Sequence, residues 1–165
     1  MDITIREVRL DDAEDQVRIL NPIIEAGTHT AMDRTYTVEE QRRFIEEFPA
    51  RGVFTVAEVD GRVVGLQDVA PFASYTGAFD HVGVIGTYVD LAFPRMGIGR
   101  RMTDVTFEVA REKGYEKIFT YVRADNGPAL AFYEALGFRT VGTAERQARF
   151  GEKYVDEVII EKFLV

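Results

Sequence analysis

Apolar residues recur along this chain with two periods, and the switches between them mark out its elements. Ile3, Ile5 and Val8 predict a short opening strand. Ala13, Val17, Leu20 and Ile24 then trace one face of a helix, with Asp11 and Asp12 as cap candidates before it. Pro22 sits near the end of that stripe and predicts a kink or an early stop there. Thr37-Val38-Glu39-Glu40 fits a capping box that opens a second helix, with Phe44, Ile45 and Phe48 on its apolar side and Pro49 at its end. The β-rich runs 53–59 and 63–70 flank Asp60-Gly61, a hairpin signal, so they predict an antiparallel pair. A longer connection over 72–79 leads to a strand over 81–90. Ile98, Met102, Val105 and Val109 share one face of the next helix, which Gly114 stops. The strand that follows, 117–122, completes a strand-helix-strand unit, which implies a right-handed crossover between parallel strands. Asn126 as N-cap and Pro128 in the first turn open a last helix carrying Leu130, Tyr133 and Leu136, and Gly137 ends it. Two strands, about 138–147 and 154–163, surround the turn 150–153. The order βααββ, then βαβ, then a helix and two strands describes a mixed α/β sheet.

The 165 residues fit one domain over 1–165, long enough to bury a core without disulfides or metals. Twenty Lys and Arg against 28 Asp and Glu give a net charge of -8, which argues against nucleic acid or an anionic membrane as the main partner. The absence of cysteine excludes a thiol nucleophile, a disulfide framework and thiolate metal sites, and no metal is expected. The N-terminus is charged where a signal peptide needs an apolar core, and no apolar run approaches the about 18 residues of a membrane span. A soluble, cytoplasmic protein is the expectation.

Charge does pick out one stretch. The run Tyr88-Val89-Asp90-Leu91-Ala92-Phe93-Pro94-Arg95-Met96-Gly97-Ile98-Gly99-Arg100-Arg101 reads as a strand that ends in a basic, Gly-bearing turn and enters a helix. The first turn of a helix leaves N–H groups without intrahelical partners, and the peptide dipoles favour negative charge there. Gly97 and Gly99 would let a phosphate approach the backbone, with Arg95, Arg100 and Arg101 around it. Taken alone, Gly-x-Gly is equally a plain strand-to-helix turn with solvated arginines.

A second stretch decides between these. Asn126-Gly127-Pro128-Ala129-Leu130-Ala131-Phe132-Tyr133-Glu134-Ala135-Leu136-Gly137-Phe138, placed after Gly97-x-Gly99, resembles the GNAT superfamily of acetyl-CoA-dependent N-acetyltransferases over essentially the whole chain. The resemblance implies a mostly antiparallel sheet, flanked by helices, with a central splayed parallel pair ending near Val89 and Val122. It implies acetyl-CoA as co-substrate, its diphosphate on the backbone amides of about 97–101 with Arg95 and Met96 beside them, and Val89, Leu91 and Asn126 among the cofactor contacts. One departure is Pro94, where the family usually has Gln or Arg; proline lacks an N–H for the diphosphate. A weaker likeness is to the branch that acetylates phosphinothricin and methionine sulfoximine, carried by Asn21-Pro22-Ile23-Ile24-Glu25, the loop 27–34, Gly142-Thr143 and Tyr154-Val155-Asp156. That branch carries a strand glutamate where this chain has Val84, and arginine in the preceding loop where 72–79 has none. Homodimers are common in it, and the β-rich tail here could pair with a second chain.

Without cysteine, direct attack by an amine in a ternary complex is expected rather than an acyl-enzyme. The resemblance makes Tyr133 the proton donor to the CoA sulfur and the Val89 N–H the carbonyl polariser. For the base, Asp68 lies inside an apolar run, where an ionised side chain is unfavourable unless it is paired or functional; its bland reading is an edge or solvent-facing residue. His81 titrates in the right range but stands at a strand start. Asp90 could hold a water or cap the cofactor loop. The leading function is N-acetylation of a small-molecule amine. The alternatives are a non-catalytic acyl-CoA sensor and a protein N-terminal or lysine acetyltransferase.

Overall fold

The computed structural model describes residues 1–165. The elements are β1 (Ile3–Glu7), α1 (Ala13–Ala26), α2 (Val38–Glu46), β2 (Val53–Val59), β3 (Arg62–Pro71), β4 (Val82–Val89), α3 (Ile98–Glu112), β5 (Lys117–Arg123), α4 (Gly127–Ala135), β6 (Arg139–Phe150) and β7 (Lys153–Phe163). All seven strands join one sheet in the order β1-β2-β3-β4-β5-β7-β6. Every neighbouring pair is antiparallel except β4–β5. The expected element order and mixed sheet are both present. No helix is long and apolar enough to cross a membrane.

Local chemistry accounts for most boundaries. Thr37 accepts from the Glu40 N–H at 3.1 Å while Glu40 accepts from the Thr37 N–H, completing the capping box of α2. Asp60 and Gly61 both take positive φ, 51° and 80°, the pairing a two-residue hairpin needs between right-twisted strands. Pro22 does not bring the early stop that the sequence allowed for: α1 runs through it to Ala26 and closes on Gly27 at φ 77°. Ile19, Leu20, Ile23 and Ile24 bracket the proline and are all buried. Burial of four such side chains, at about 1.5–3 kcal/mol each, outweighs the ~3 kcal/mol that an interior proline costs.

The sheet separates two layers. On one face α1 and α2 cover Phe54, Val56, Val63 and Leu66. On the other, α3 and α4 cover a core that includes Ile85, Phe107, Ile118, Tyr133 and Ile160. Side chains alternate along β3, so Gln67 faces α3 and α4 while Asp68 faces the α1–α2 side. The last hairpin extends further toward its turn than the sequence pattern indicates, because the register slips between Ala144 and Ala148 and hides the period of two.

Candidate active site

The parallel pair β4–β5 is short by construction. Its register holds for Val82↔Lys117, Gly83↔Ile118 and Val84↔Phe119 and then stops, although β4 continues to Val89 and β5 to Arg123. At the point of parting, the Thr120 hydroxyl donates to the Ile85 carbonyl at 2.9 Å, a side chain in place of the next ladder bond. Beyond it the strands leave an opening. The Asp90 N–H donates to the Val64 carbonyl at 2.8 Å, which makes Val89 and Gly65 a non-hydrogen-bonded antiparallel pair. The N–H and C=O of Val89 therefore turn away from β3 and into the opening. Thr87, two residues earlier on the same strand, points its backbone groups the same way.

Tyr133 fills the α4 side of the opening. It is 6% exposed, and its Oη lies 2.9 Å from Thr87 Oγ1. A chain of hydrogen bonds leads on from there. Gln67 Nε2 donates to Thr87 Oγ1 at 2.9 Å and to Thr103 Oγ1 at 2.8 Å, and Thr103 donates to the Gly99 carbonyl at 2.7 Å. Thr87 thus already accepts a hydrogen bond from Gln67. Either hydroxyl of the Thr87–Tyr133 pair can donate, and when Thr87 does so the phenolic proton is left for another acceptor. Burial pushes the Tyr133 phenol up to about 12, with the Thr87 hydrogen bond partly opposing it.

Behind Tyr133 lies a groove of about 450 Å³ lined by Val89, Leu91, Pro94, Arg95, Met96, Gly97, Ile98, Gly99, Arg100 and Asn126, among others. Its floor is the start of α3. The Arg101 N–H makes the first helical bond, to the Gly97 carbonyl at 3.0 Å, so the N–H groups of Ile98, Gly99 and Arg100 before it have no i−4 partner. Gly97 takes φ 71° with open space where a Cβ would stand, and Arg95 is held at φ 58° beside Pro94. Gly99 serves a different purpose: a Cβ there would meet the Phe132 ring of α4 at 2.9 Å. These donors, the exposed Arg95 and Arg100, and the groove's size fit an elongated diphosphate ligand such as acetyl-CoA.

On the opposite face of the sheet, a cavity of about 480 Å³ reaches Tyr133 from the α1–α2 side. The loop after α1 forms its rim, with His29, Thr30, Ala31 and Met32 among the lining residues. That loop is pinned: Asn126 Nδ2 donates to the His29 carbonyl at 3.1 Å and Arg123 to the Thr30 carbonyl at 3.1 Å. Asp68 stands in the wall opposite Gly86, where the missing side chain leaves Asp68 Oδ1 and Tyr88 Oη within 3.8 and 3.6 Å of the vacant Cβ position. Burial, with no cation or donor to offset it, pushes the Asp68 carboxyl up to about 7. Tyr88 is shifted upward as well, by burial first and by the neighbouring Asp68 charge second.

Two cavities that meet at a tyrosine, one floored by free helix N–H groups and one holding a perturbed carboxyl, fit a transfer between an anionic donor and a second substrate. The sequence profile described as an acetyltransferase (GNAT) domain matches residues 5–159. The chain belongs to the GNAT acetyltransferase family. Within the family it is similar to the mycothiol acetyltransferase of Saccharomonospora viridis, 33% identical over 105 residues that make up 62% of this chain and 34% of that protein. It is 26% identical to the phosphinothricin N-acetyltransferase of Streptomyces viridochromogenes over 86% of this chain and 76% of that protein. Among solved structures, a putative acetyltransferase from Salmonella typhimurium with its cofactor acetyl-CoA superposes with a TM-score of 0.90 at 21% identity, covering 100% of this chain and 95% of that one.

In this GNAT domain the structure brings together most of the residues singled out in the sequence, and separates two. His81 is exposed at the start of β4, where β4 and β5 are still paired, and lines neither cavity. The length of β4 stands between it and the opening. Arg101 shares the basic run but turns its side chain to the Ile3 carbonyl at 3.0 Å, and its N–H is used inside α3. Asp90 caps the loop: it accepts from the Ala92 N–H at 2.9 Å and pairs with Arg18 at 2.6 Å, which fastens α1 to the turn. Asn126 is the N-cap of α4 and lines both cavities. Gln67, Thr87, Thr103 and Glu157 escaped the sequence reading, because polar residues at single strand or helix positions carry no periodic signal. Gln67, set inside the apolar run from Val63 to Ala70, was the one available hint.

Proposed function

We propose that the protein transfers the acetyl group of acetyl-CoA to the amine of a small molecule by direct attack across the β4–β5 opening. The observation that carries this reading is Tyr133, which lines both the groove at the start of α3 and the cavity on the other face. Bound acetyl-CoA would supply the thioester, with its diphosphate on the N–H groups of Gly97, Ile98, Gly99 and Arg100 and with Arg95 and Arg100 beside it. The Val89 N–H, turned into the opening, would donate to the thioester oxygen. Tyr133, held as a donor by Thr87, would hydrogen-bond the sulfur as negative charge builds on it.

Asp68 is the base this reading favours. The carboxylate that the resembling branch carries at the position of Val84 is absent, but Asp68 on the neighbouring strand faces the same cavity, with Gly86 as its partner. A carboxyl near 7 is half ionised at neutral pH and can take a proton from the acceptor's nitrogen, directly or through one water, as the neutral amine attacks the thioester carbon. The test is thiol release from acetyl-CoA with a panel of primary amines. Amine-dependent release above the hydrolysis background is the expected result. A protein that binds acetyl-CoA yet releases no thiol with any amine is instead a sensor.

Thr87 gives a sharper check on the hydrogen-bond chain. Thr87→Val is expected to lower kcat by about tenfold, the loss of one hydrogen bond aligned on the reacting group, with the KM for acetyl-CoA little changed. Thr87→Ser should restore most of the rate. A Ser variant as slow as the Val variant would show that the methyl group matters and the hydroxyl does not.

A further inference from the structure

The cavity on the α1–α2 face holds two carboxyl groups, and the reaction proposed above uses only Asp68. The other is Glu157 of β7, whose partner across the β5–β7 pair is Arg123. Glu157 is 2% exposed, lines the cavity, and its Oε1 has no hydrogen-bond partner. A carboxylate buried without a donor is unfavourable, so this position gains most when a ligand brings one.

Arg123 does not meet that need. Its guanidinium donates to both carboxylate oxygens of Asp125 at 2.8 Å and to the Thr30 carbonyl at 3.1 Å, and its face lies over the Phe150 ring at 4.7 Å. Burial accordingly raises the Glu157 carboxyl, with Arg123 opposing only in part. Arg123 is also the only Lys or Arg among the lining residues. With it committed, the cavity has no spare guanidinium or ammonium for an acceptor's carboxylate or phosphate.

The placement completes the picture. Asp68 on β3 and Glu157 on β7 share one face of the sheet, with β4, β5 and the opening between them. An acceptor amine placed at the opening therefore has a carboxylate on either side.

We propose that Glu157 holds the second, non-reacting ammonium of a primary diamine whose other amine accepts the acetyl group. This rests on the acetyl-transfer reading above and names its substrate class. An ammonium brings the donors that Oε1 lacks, and a simple diamine carries no anionic group to be accommodated.

The experiment compares alkyl diamines, from diaminopropane to diaminohexane, with monoamines of equal chain length, using wild-type protein and Glu157→Gln. For the best diamine, wild-type kcat/KM is expected to exceed that of its monoamine by at least about tenfold, the size of one charge-assisted hydrogen bond, with the difference in KM. In Glu157→Gln the preference should fall to near unity. Titration of that diamine into the CoA-bound protein should show the same loss calorimetrically, and the wild-type ratio and titration decide alone if the variant does not fold. A wild-type ratio near unity, or a preference that survives in Glu157→Gln, overturns the assignment. Diamines inert while other amines are acetylated overturns it and leaves acetyl transfer standing. No amine-dependent thiol release with any amine, acetyl-CoA being bound, overturns both.

Discussion

Tyr133→Phe is expected to lower kcat by on the order of 10²-fold while leaving acetyl-CoA binding unchanged. The size follows from the acidity of the group. A phenol raised to about 12 is a weaker acid than an alkyl thiol of about 8.5, so complete proton transfer to the leaving sulfur is uphill. What Tyr133 contributes is a hydrogen bond that strengthens as charge develops, from a side chain that is itself buried, and such bonds contribute about 2.7–4 kcal/mol in other acyl transfers. The value expected here is at the lower end, because the donor is a single neutral phenol. Phe keeps the ring in its edge contacts with Phe132 and Phe138, at 5.0 and 5.1 Å between centroids, so packing is preserved and the comparison isolates the hydroxyl. Acetyl-CoA affinity measured by calorimetry and kcat measured by thiol release separate the two effects. A variant with kcat within threefold of wild type would remove Tyr133 from the chemistry.

The features visible in the sequence were those that local physics dictates. The Asp60-Gly61 hairpin, the capping box at Thr37, the cap at Asn126 and the Gly-bearing start of α3 each depend on residues within a few positions of one another, and each is where the pattern put it. Pro22 went the other way because the burial that overrides it comes from the sheet, which a helical stripe does not reveal. Arg101 was misjudged for a related reason. A run of arginines states how much charge is near a turn but not which side chain an adjacent strand will capture, and β1 captures this one.

The site shows the same division. Tyr133 and the glycines belong to a contiguous motif, so they could be read in order. The chain from Gln67 through Thr87 to Tyr133, by contrast, joins β3, β4 and α4, three elements distant in sequence whose registry only the folded sheet sets. Glu157 is further removed: nothing in 153–163 distinguishes it from Glu161, which pairs with Lys117 at 2.6 Å, whereas Glu157 faces a cavity and stays unpaired. Asp68 alone could be suspected from its apolar neighbours, and its setting explains why: a carboxyl among Leu66, Val69 and Ala70 is a conflict that a stability-driven sequence would avoid.

Asp68→Asn turns that conflict into opposite expectations for activity and stability. Removal of the base should lower kcat/KM for an amine by about 10²–10³-fold and abolish the rise in rate expected of wild type as pH passes through about 7. Stability should move the other way. A carboxyl raised from 3.8 to about 7 holds its proton more tightly in the folded state than in the unfolded one. Its contribution therefore falls as pH climbs above 3.8 and is fully unfavourable once pH exceeds 7. Three units at 1.36 kcal/mol each set a ceiling of about 4 kcal/mol. Asp68 keeps partial access to solvent through the cavities it lines, so a discount for screening brings the expected gain in Asn to about 2 kcal/mol. For a chain of this length that is roughly 5 °C in Tm. Thermal unfolding at pH 8 should show the gain, and at pH 3, below both values, where both states mostly carry the proton, the gain should nearly vanish. A variant that is slower without being more stable at pH 8 would mean that the Asp68 carboxylate is solvated or paired in the free protein. One that is more stable yet fully active would move the base elsewhere in the cavity.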